Sequence, residues 1–411
     1  MKKIIAQILN FIFYFFKVNE KKILFESGRN LIDENPKALY CYIKKNNPNN
    51  FKTIWLVTKK TDTTILEKED FAYYNTLKGL YHLATSKYWI GSQSIGNILK
   101  KKKNQIYIQT WHGYGPSKRM GYDINNCTNR PPMAHTKEWD YFIASSPLDE
   151  QIITSSTGYD KETVILGSAT TDQILEISRD INKINKIKKD LGIQEKDFNK
   201  KIIFYAPSFR DSDLIEKQTH LKIDSFHEIK DSIFLVRLHP LIAENINPLV
   251  FSDNIINACS YPDSSEILGL TDILISDYSS IISKFAILNR PIILYAHDLD
   301  SYLTERGFYL DYKKDMPAPI VYTEEELFKT ILNIENIQKK YEKKLTEFNK
   351  KYNYLNDGHV CERILQKINN GYFLKHPYLS DTKINIKGEN LWLFLRKFIM
   401  CGLVGKINLK K

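Results

Sequence analysis

"DILISDYSSIISKFAILNRPIILY", residues 272–295, sets two apolar runs on either side of a polar turn and a helix-forming segment. The runs Ile273–Ile275 and Ile292–Leu294 do not alternate with polar residues, so they read as strands buried on both faces. Between them, Asp277-Tyr278-Ser279-Ser280 ends the first strand, and the serines supply N-cap chemistry for "SIISKFAILN". Asn289-Arg290-Pro291 stops that helix. Strand, helix and strand in so short a span make a βαβ unit, which belongs to a parallel sheet.

The same alternation runs through the chain. "KKILFES" (21–27), "FKTIWLVT" (51–58), "YWIGS" (88–92), "QIYIQTW" (105–111), "WDYFIASS" (139–146) and "ETVILGS" (162–168) read as strands, with "NPKALYCYIKK" and "NTLKGLYHLATS" as helices between them. After the charged helical stretch that begins at Ala169, a second series follows: 201–207, 232–240, 254–259, 272–276 and 291–296. The segment from Glu324 to Lys351 reads as a long helix. The expectation is an α/β chain of two Rossmann-like domains, at 21–180 and 195–370, with a hinge near 175–200. At 411 residues the chain is long enough for two such cores.

In open α/β sheets ligands sit beyond the carboxyl ends of the strands. Those ends carry His112-Gly113 with Lys118 and Arg119 behind, Pro207-Ser208-Phe209-Arg210, Arg237 with His239-Pro240, and Asp277-Tyr278-Ser279-Ser280. Each piece alone has an ordinary structural explanation: a hydrogen-bonding histidine, a surface arginine, a helix cap, an Asx turn at Asp277. Together they supply a base of near-neutral pKa, several cations and a hydroxyl pair, which suits chemistry on a phosphorylated substrate. Asp211 and Asp213 echo an Asp-x-Asp metal motif. The pair follows an arginine, and the neighbouring cations can already serve a diphosphate, so a divalent metal is possible but not required.

"IQTWHG" with its basic pair, "FYAPSFRD", "VRLHP", "DILISDYSS", "FAILNRPIILYAHDLDSY" and "RGFYLDY" resemble, in order, the motifs of the CDP-glycerol glycerophosphotransferase family. This family holds the teichoic acid primases and polymerases and related capsule polymerases. The resemblance covers about residues 20–370. It implies a GT-B fold, with two Rossmann-like domains facing a cleft. It also implies transfer of a polyol phosphate from a CDP-polyol donor to a hydroxyl of a lipid-linked, undecaprenyl diphosphate-type or polymer acceptor, with release of CMP. By resemblance His112 and His239 are the catalytic residues, His112 being the base. Gly113, Lys118, Pro207, Ser208, Arg210, Arg237, Pro240, Asp277, Ser279 and Ser280 line the donor site. The rival readings are a GT-B glycosyltransferase using a nucleotide sugar, or a degenerate, non-catalytic subunit of a polymer assembly complex.

Three departures bear on the substrate. "GSATTD" puts Thr170 where the family has arginine, Lys284 stands where it has an acid, and "WHGYGPSKRMG" is one residue longer before its basic pair. Thr170 and Lys284 are therefore candidates for donor specificity, with a solvated Lys284 as the alternative.

Composition agrees with a globular protein that meets anions: hydrophobic content is 43%, charged content 26% and the formal net charge +11. A lysine-rich solvated surface, as in the run Lys100–Lys103, accounts for that charge equally well. The five cysteines lack metal or disulfide spacing. The basic residues lack the aromatic interleaving or helix-turn-helix pattern of a nucleic-acid binder. Residues 1–20 read as an amphipathic helix too short to span a bilayer, and 371–411, with "LWLFLRKFIMCGLVGK", as a basic, apolar tail. Both fit interfacial contact with an anionic membrane, on its cytoplasmic face, or packing on the protein's own core.

Overall fold

The structure is a computed structural model, and it describes residues 2–28, 30–95, 99–116, 118–125, 136–208, 210, 221–238 and 251–374. Two parallel sheets carry it. The first contains β1 (Asn19–Glu26), β2 (Lys52–Val57), β3 (Phe71–Tyr73), β4 (Ser86–Gly91), β5 (Ile106–Gln109), β6 (Tyr141–Ala144) and β7 (Glu162–Ile165), in the order β3-β2-β1-β4-β5-β6-β7. The second contains β8 (Lys201–Tyr205), β9 (Ser232–Val236), β10 (Ile255–Asn257), β11 (Ile273–Ser276), β12 (Ile292–Tyr295) and β13 (Ile320–Val321), in the order β10-β9-β8-β11-β12-β13. Each sheet starts in its middle, winds outward one way and then the other. Strand order therefore reverses between β1 and β4, and between β8 and β11, and these are the crevices where such sheets bind ligands.

Among the described residues the α-helices are α1 (Lys2–Tyr14), α2 (Glu34–Asn46), α3 (Leu77–Thr85), α4 (Pro147–Thr157), α5 (Ala169–Arg179), α6 (Ile181–Asp190), α7 (Ser264–Leu270), α8 (Ile281–Ala286), α9 (Leu299–Glu305), α10 (Tyr312–Asp315), α11 (Glu324–Leu332), α12 (Ile334–Tyr352) and α13 (Val360–Asn369). Local chemistry sets their starts. Ser146 accepts from the Asp149 amide with Pro147 behind it, and Thr323 and Glu326 form a capping box. The expected single helix from 324 to 351 is divided at Asn333, which ends α11 and begins α12.

Apolar layers cover both faces of each sheet. Phe204, Leu235, Leu274 and Leu294 face one layer of the second sheet, and Tyr205, Val236, Ile275 and Ile293 face the other. The two halves also exchange helices. Ile174 and Ile177 of α5 join the core of the second sheet, where Gly269 of α7 lets Ile177 approach so closely that a Cβ would lie 2.5 Å from it. Val360, Ile364 and Ile368 of α13 return to the first sheet. Sequence continuity had grouped α13 with the second half. Its apolar stripe instead completes the first core, and Asp172 of α5 caps it, accepting from the Val360 and Cys361 amides at 3.1 and 2.7 Å.

α1 lies on the body. Phe13 is buried with Trp89 and Leu80, whereas Phe11, Tyr14, Phe15 and Phe16 are exposed. Among the described residues no helix is long and apolar enough to cross a membrane. Most of the expected basic, apolar tail, residues 375–411, lies outside the described residues.

Candidate active site

β5 leads directly into the histidine. Trp111 takes a left-handed φ of 54°, costly for so bulky a residue. The turn is held from below: Asn35 Nδ2 donates to the Thr110 and Trp111 carbonyls at 2.7 and 3.0 Å, and the Trp111 amide donates to Gln109 Oε1 at 2.9 Å. The Trp111 ring stacks on the imidazole of His112 at 4.7 Å. His112 Nδ1 lies 3.2 Å from the Ser92 carbonyl and 2.9 Å from Gln93 Nε2. A backbone carbonyl only accepts, whereas a side-chain amide can rotate to present either atom. The Ser92 contact suits an Nδ1–H tautomer with the Gln93 amide turned to present its oxygen, and that tautomer carries its lone pair on Nε2, the form in which an imidazole accepts a proton.

Gly113 follows. A Cβ there would stand 2.5 Å from Ser280 Oγ, and one on Gly115, whose φ is 89°, would stand 2.1 Å from Ser283 Oγ. The histidine turn of the first half is thus pressed against the start of α8 in the second. Ser280 occupies the N-cap without a side-chain cap bond, and Ser279 Oγ accepts from the Ile281 amide at 3.3 Å.

Across the second crevice, Asp277 organises the end of β11 and the turn after β8. It is buried, accepts from the Ser208 amide at 2.8 Å and pairs with Arg210 at 2.6 Å. Arg210 is also bidentate to Asp298 at 2.9 and 2.8 Å, donates to the Ser208 carbonyl, and lies over the Tyr278 and Tyr302 rings. Burial works against its charge, but Asp277 and Asp298 outweigh it and raise its pKa. Asp298 moves the other way: burial opposes its ionisation, yet Arg210 holds it down at about 2. With four hydrogen bonds to protein groups, Arg210 orients Ser208 and Asp277 more than it offers charge to a ligand.

Lys118 comes from the first half yet reaches Ser208 Oγ of the second at 3.5 Å. Its backbone pairs with Phe308, Arg119 N donates to the Gly307 carbonyl at 3.0 Å, and Arg306 Nε donates back to the Arg119 carbonyl at 3.2 Å. "RGFYLDY" (306–312) thus anchors the basic loop. Burial, then the Arg306 guanidinium, push Lys118 down to about 8, while Asp277 pulls it up.

The structure brings together His112, Gly113, Lys118, Ser208, Arg210, Asp277, Ser279 and Ser280, with Pro207 adjoining. Two expected residues turn elsewhere. Arg237 donates to the Ala258 and Tyr261 carbonyls at 2.9 and 2.5 Å, tying down the turn after β10. Thr170 is fully buried. Its amide donates to Asn35 Oδ1 at 3.0 Å, and its hydroxyl lies 2.9 Å from that of Ser168, in the network that supports the histidine turn. Lys284 is buried too, its ammonium 2.5 Å from Glu34 and 3.1 Å from the His112 carbonyl, so a solvated Lys284 is excluded. His239, Pro240, Asp211 and Asp213 lie outside the described residues. Among the described residues no cluster of three or more His, Cys, Asp or Glu groups is placed to hold a metal. Sequence reasoning assigned nothing to Asn35, Gln93 or Asp298. Asp298 does stand in the quoted "YAHDLDSY", while Asn35 and Gln93 carry no local signal.

The sequence pattern of CDP-glycerol:poly(glycerophosphate) glycerophosphotransferases matches residues 8–370. A teichoic acid poly(glycerol phosphate) polymerase of Bacillus spizizenii is 30% identical over 85% of this chain and 92% of its own length. A teichoic acid glycerol-phosphate transferase of Staphylococcus aureus is 32% identical over 85% of this chain and 93% of its own. A solved structure of the wall teichoic acid polymerase TagF superposes with a TM-score of 0.79 at 28% identity, covering 90% of this chain and 93% of that one. The fold is accordingly GT-B-like, and the chain belongs to the CDP-glycerol:poly(glycerophosphate) glycerophosphotransferase family of phosphotransferases.

Proposed function

We propose that the chain transfers glycerol phosphate from CDP-glycerol to a terminal hydroxyl of a lipid-linked acceptor or growing polymer, with His112 as the base. The observation that supports this reading is the contact between the His112-Gly113 turn and Ser280, which sets His112 at the edge of the second crevice. The acceptor oxygen attacks the phosphorus that bears glycerol, and its proton passes to His112 Nε2. The bond from that phosphorus to the bridging oxygen breaks, and CMP leaves with the electron pair. Lys118, with the Ser208 and Ser279-Ser280 turns, meets the diphosphate charge as it moves onto CMP. His239 is expected from the family motif to share that task. Glycerol phosphate is preferred over ribitol phosphate because the two relatives above are glycerol-phosphate enzymes.

The site works at a membrane surface in this reading. The outward rings of α1, with exposed Tyr81 beside Phe16, support shallow insertion, and the net charge of +11 supports an anionic leaflet.

The test is CMP release from CDP-glycerol, CDP-ribitol and nucleotide sugars with a synthetic lipid-linked acceptor. CDP-glycerol should be used best, and His112→Ala should lower kcat by roughly a hundredfold or more without unfolding the protein. Turnover of a nucleotide sugar alone, or full activity in His112→Ala, would refute the assignment.

A further inference from the structure

The charge at position 284 has an internal partner. Lys284 projects from α8 with its side chain only 5% exposed, and its ammonium sits 2.5 Å from Glu34 Oε2. The same nitrogen donates to the His112 carbonyl at 3.1 Å. Glu34 opens α2 with a left-handed φ of 57°, a conformation that a non-glycine residue adopts at a cost. The next residue, Asn35, grips the Thr110 and Trp111 carbonyls. One turn of α2 therefore holds the histidine turn from below and, through Lys284, reaches α8 on the opposite wall. Around this point the two walls touch closely. Gly113 faces Ser280, Gly115 faces Ser283, and Tyr114 donates its hydroxyl to the Ser283 carbonyl at 3.2 Å.

We propose that Lys284 and Glu34 form a latch between the two halves that positions His112 against the donor-side helix, and that Lys284 does not read the substrate. A buried ammonium bonded to a carboxylate and a backbone carbonyl is committed to the protein, so it has no reason to choose among polyols. Its bond to the His112 carbonyl, however, fixes how far the base stands from α8. Near-attack geometry is sensitive at this level, since an error of about 1 Å can lower a rate by roughly a hundredfold. Lys284 is thus a positioning residue. The kinetic part of this inference rests on His112 being the base.

Three variants separate positioning from stability. Glu34→Gln removes the charge of one partner but leaves Lys284 to bond the His112 carbonyl. Lys284→Met removes that bond and takes the ammonium away from Glu34. Glu34→Gln/Lys284→Met removes the bond together with both charges. The order of stability, from thermal unfolding, should place the double variant above both singles. The order of kcat should differ: Glu34→Gln highest, with Lys284→Met and the double variant both reduced by about tenfold or more. The KM for CDP-glycerol, and the ratio of CDP-glycerol to CDP-ribitol turnover, should stay within about twofold of the parent because no donor contact changes. Amide hydrogen exchange over residues 110–116 should accelerate in Lys284→Met and in the double variant.

Recovery of kcat together with stability in the double variant would reduce the pair to a fold-stabilising contact and overturn the proposal. A changed donor ratio in folded Lys284→Met would overturn it in favour of substrate reading. If instead the parent enzyme releases no CMP from any CDP-polyol, the functional assignment fails separately, and the exchange rates still decide whether the latch exists.

Discussion

Lys118 is an ammonium in a buried position, drawn across the cleft by the anchoring of its loop to Gly307 and Phe308. Burial and Arg306 lower its pKa from 10.5 to about 8. Between those two values the unfolded chain holds a proton that the folded chain does not. The charge therefore destabilises the ligand-free protein fully below pH 8, and the penalty is relieved as pH rises to 10.5. A diphosphate supplies further negative charge and draws the pKa up again. Donor binding should take up a proton above pH 8, and kcat/KM for CDP-glycerol should fall beyond it. Lys118→Met should raise KM about tenfold, a charge-assisted hydrogen bond being worth roughly twice a neutral one. It should also abolish the alkaline fall and stabilise the ligand-free protein at pH 7. Titration calorimetry in buffers of different ionisation heat reads the proton directly; no proton uptake near pH 9 would refute this role. Lys118 was legible from its place in a basic pair behind His-Gly. Its cause was not, because Arg306 lies far along the chain.

The first turn of α2 does more than begin a helix. Lys37 is buried and reaches over to α7, pairing with Asp263 at 2.8 Å and Glu266 at 2.6 Å. Burial alone would lower its pKa, and the two carboxylates outweigh that and raise it. Removing one member of such a cluster leaves buried charge unmatched. Lys37→Met should therefore destabilise the protein by about 3 kcal/mol or more in chemical denaturation. The triple variant Lys37→Met/Asp263→Asn/Glu266→Gln should regain most of it, because an asparagine in place of Asp263 can still cap α7. A triple variant no better than Lys37→Met would show that lost packing, and not stranded charge, sets the cost. The elements themselves were largely readable. Every expected strand is present within a few residues, since Ile, Val and aromatic runs buried on both faces leave no other solution. β3 and β13 escaped because three and two residues carry too little pattern. Arg237 was assigned to the donor site by its place at a strand end and by resemblance, and Thr170 by its departure from the family pattern; no periodicity reveals a side chain that turns back to carbonyls or to Asn35.

Taken as a whole, the molecule is two doubly wound sheets locked by exchanged helices, and the exchange is what periodicity could not show. An apolar stripe says that α13 must be covered but not by which sheet. The same limit applies to α1. Its amphipathic pattern fitted either a membrane or the protein's own core, and the structure packs one side of the helix on the core and leaves the other exposed. Phe13 packs inward, and Asn10 Oδ1 accepts from the Lys100 amide at 2.6 Å, while Phe11, Phe15 and Phe16 remain 40–42% exposed. Deleting the whole helix would therefore remove core packing along with any membrane contact. Phe11→Ser/Tyr14→Ser/Phe15→Ser spares Phe13 and the Phe16 ring stacked on it at 5.2 Å, and tests the outer face alone. Half-burial of three rings is worth roughly 2–4 kcal/mol, so partitioning onto anionic vesicles should weaken about a hundredfold while the melting temperature hardly changes. Polymer synthesis on vesicle-bound acceptor should fall with it, and CMP release with a soluble acceptor should not, because the cleft is untouched. Undiminished vesicle binding in sedimentation would move the attachment off α1, to residues beyond 374.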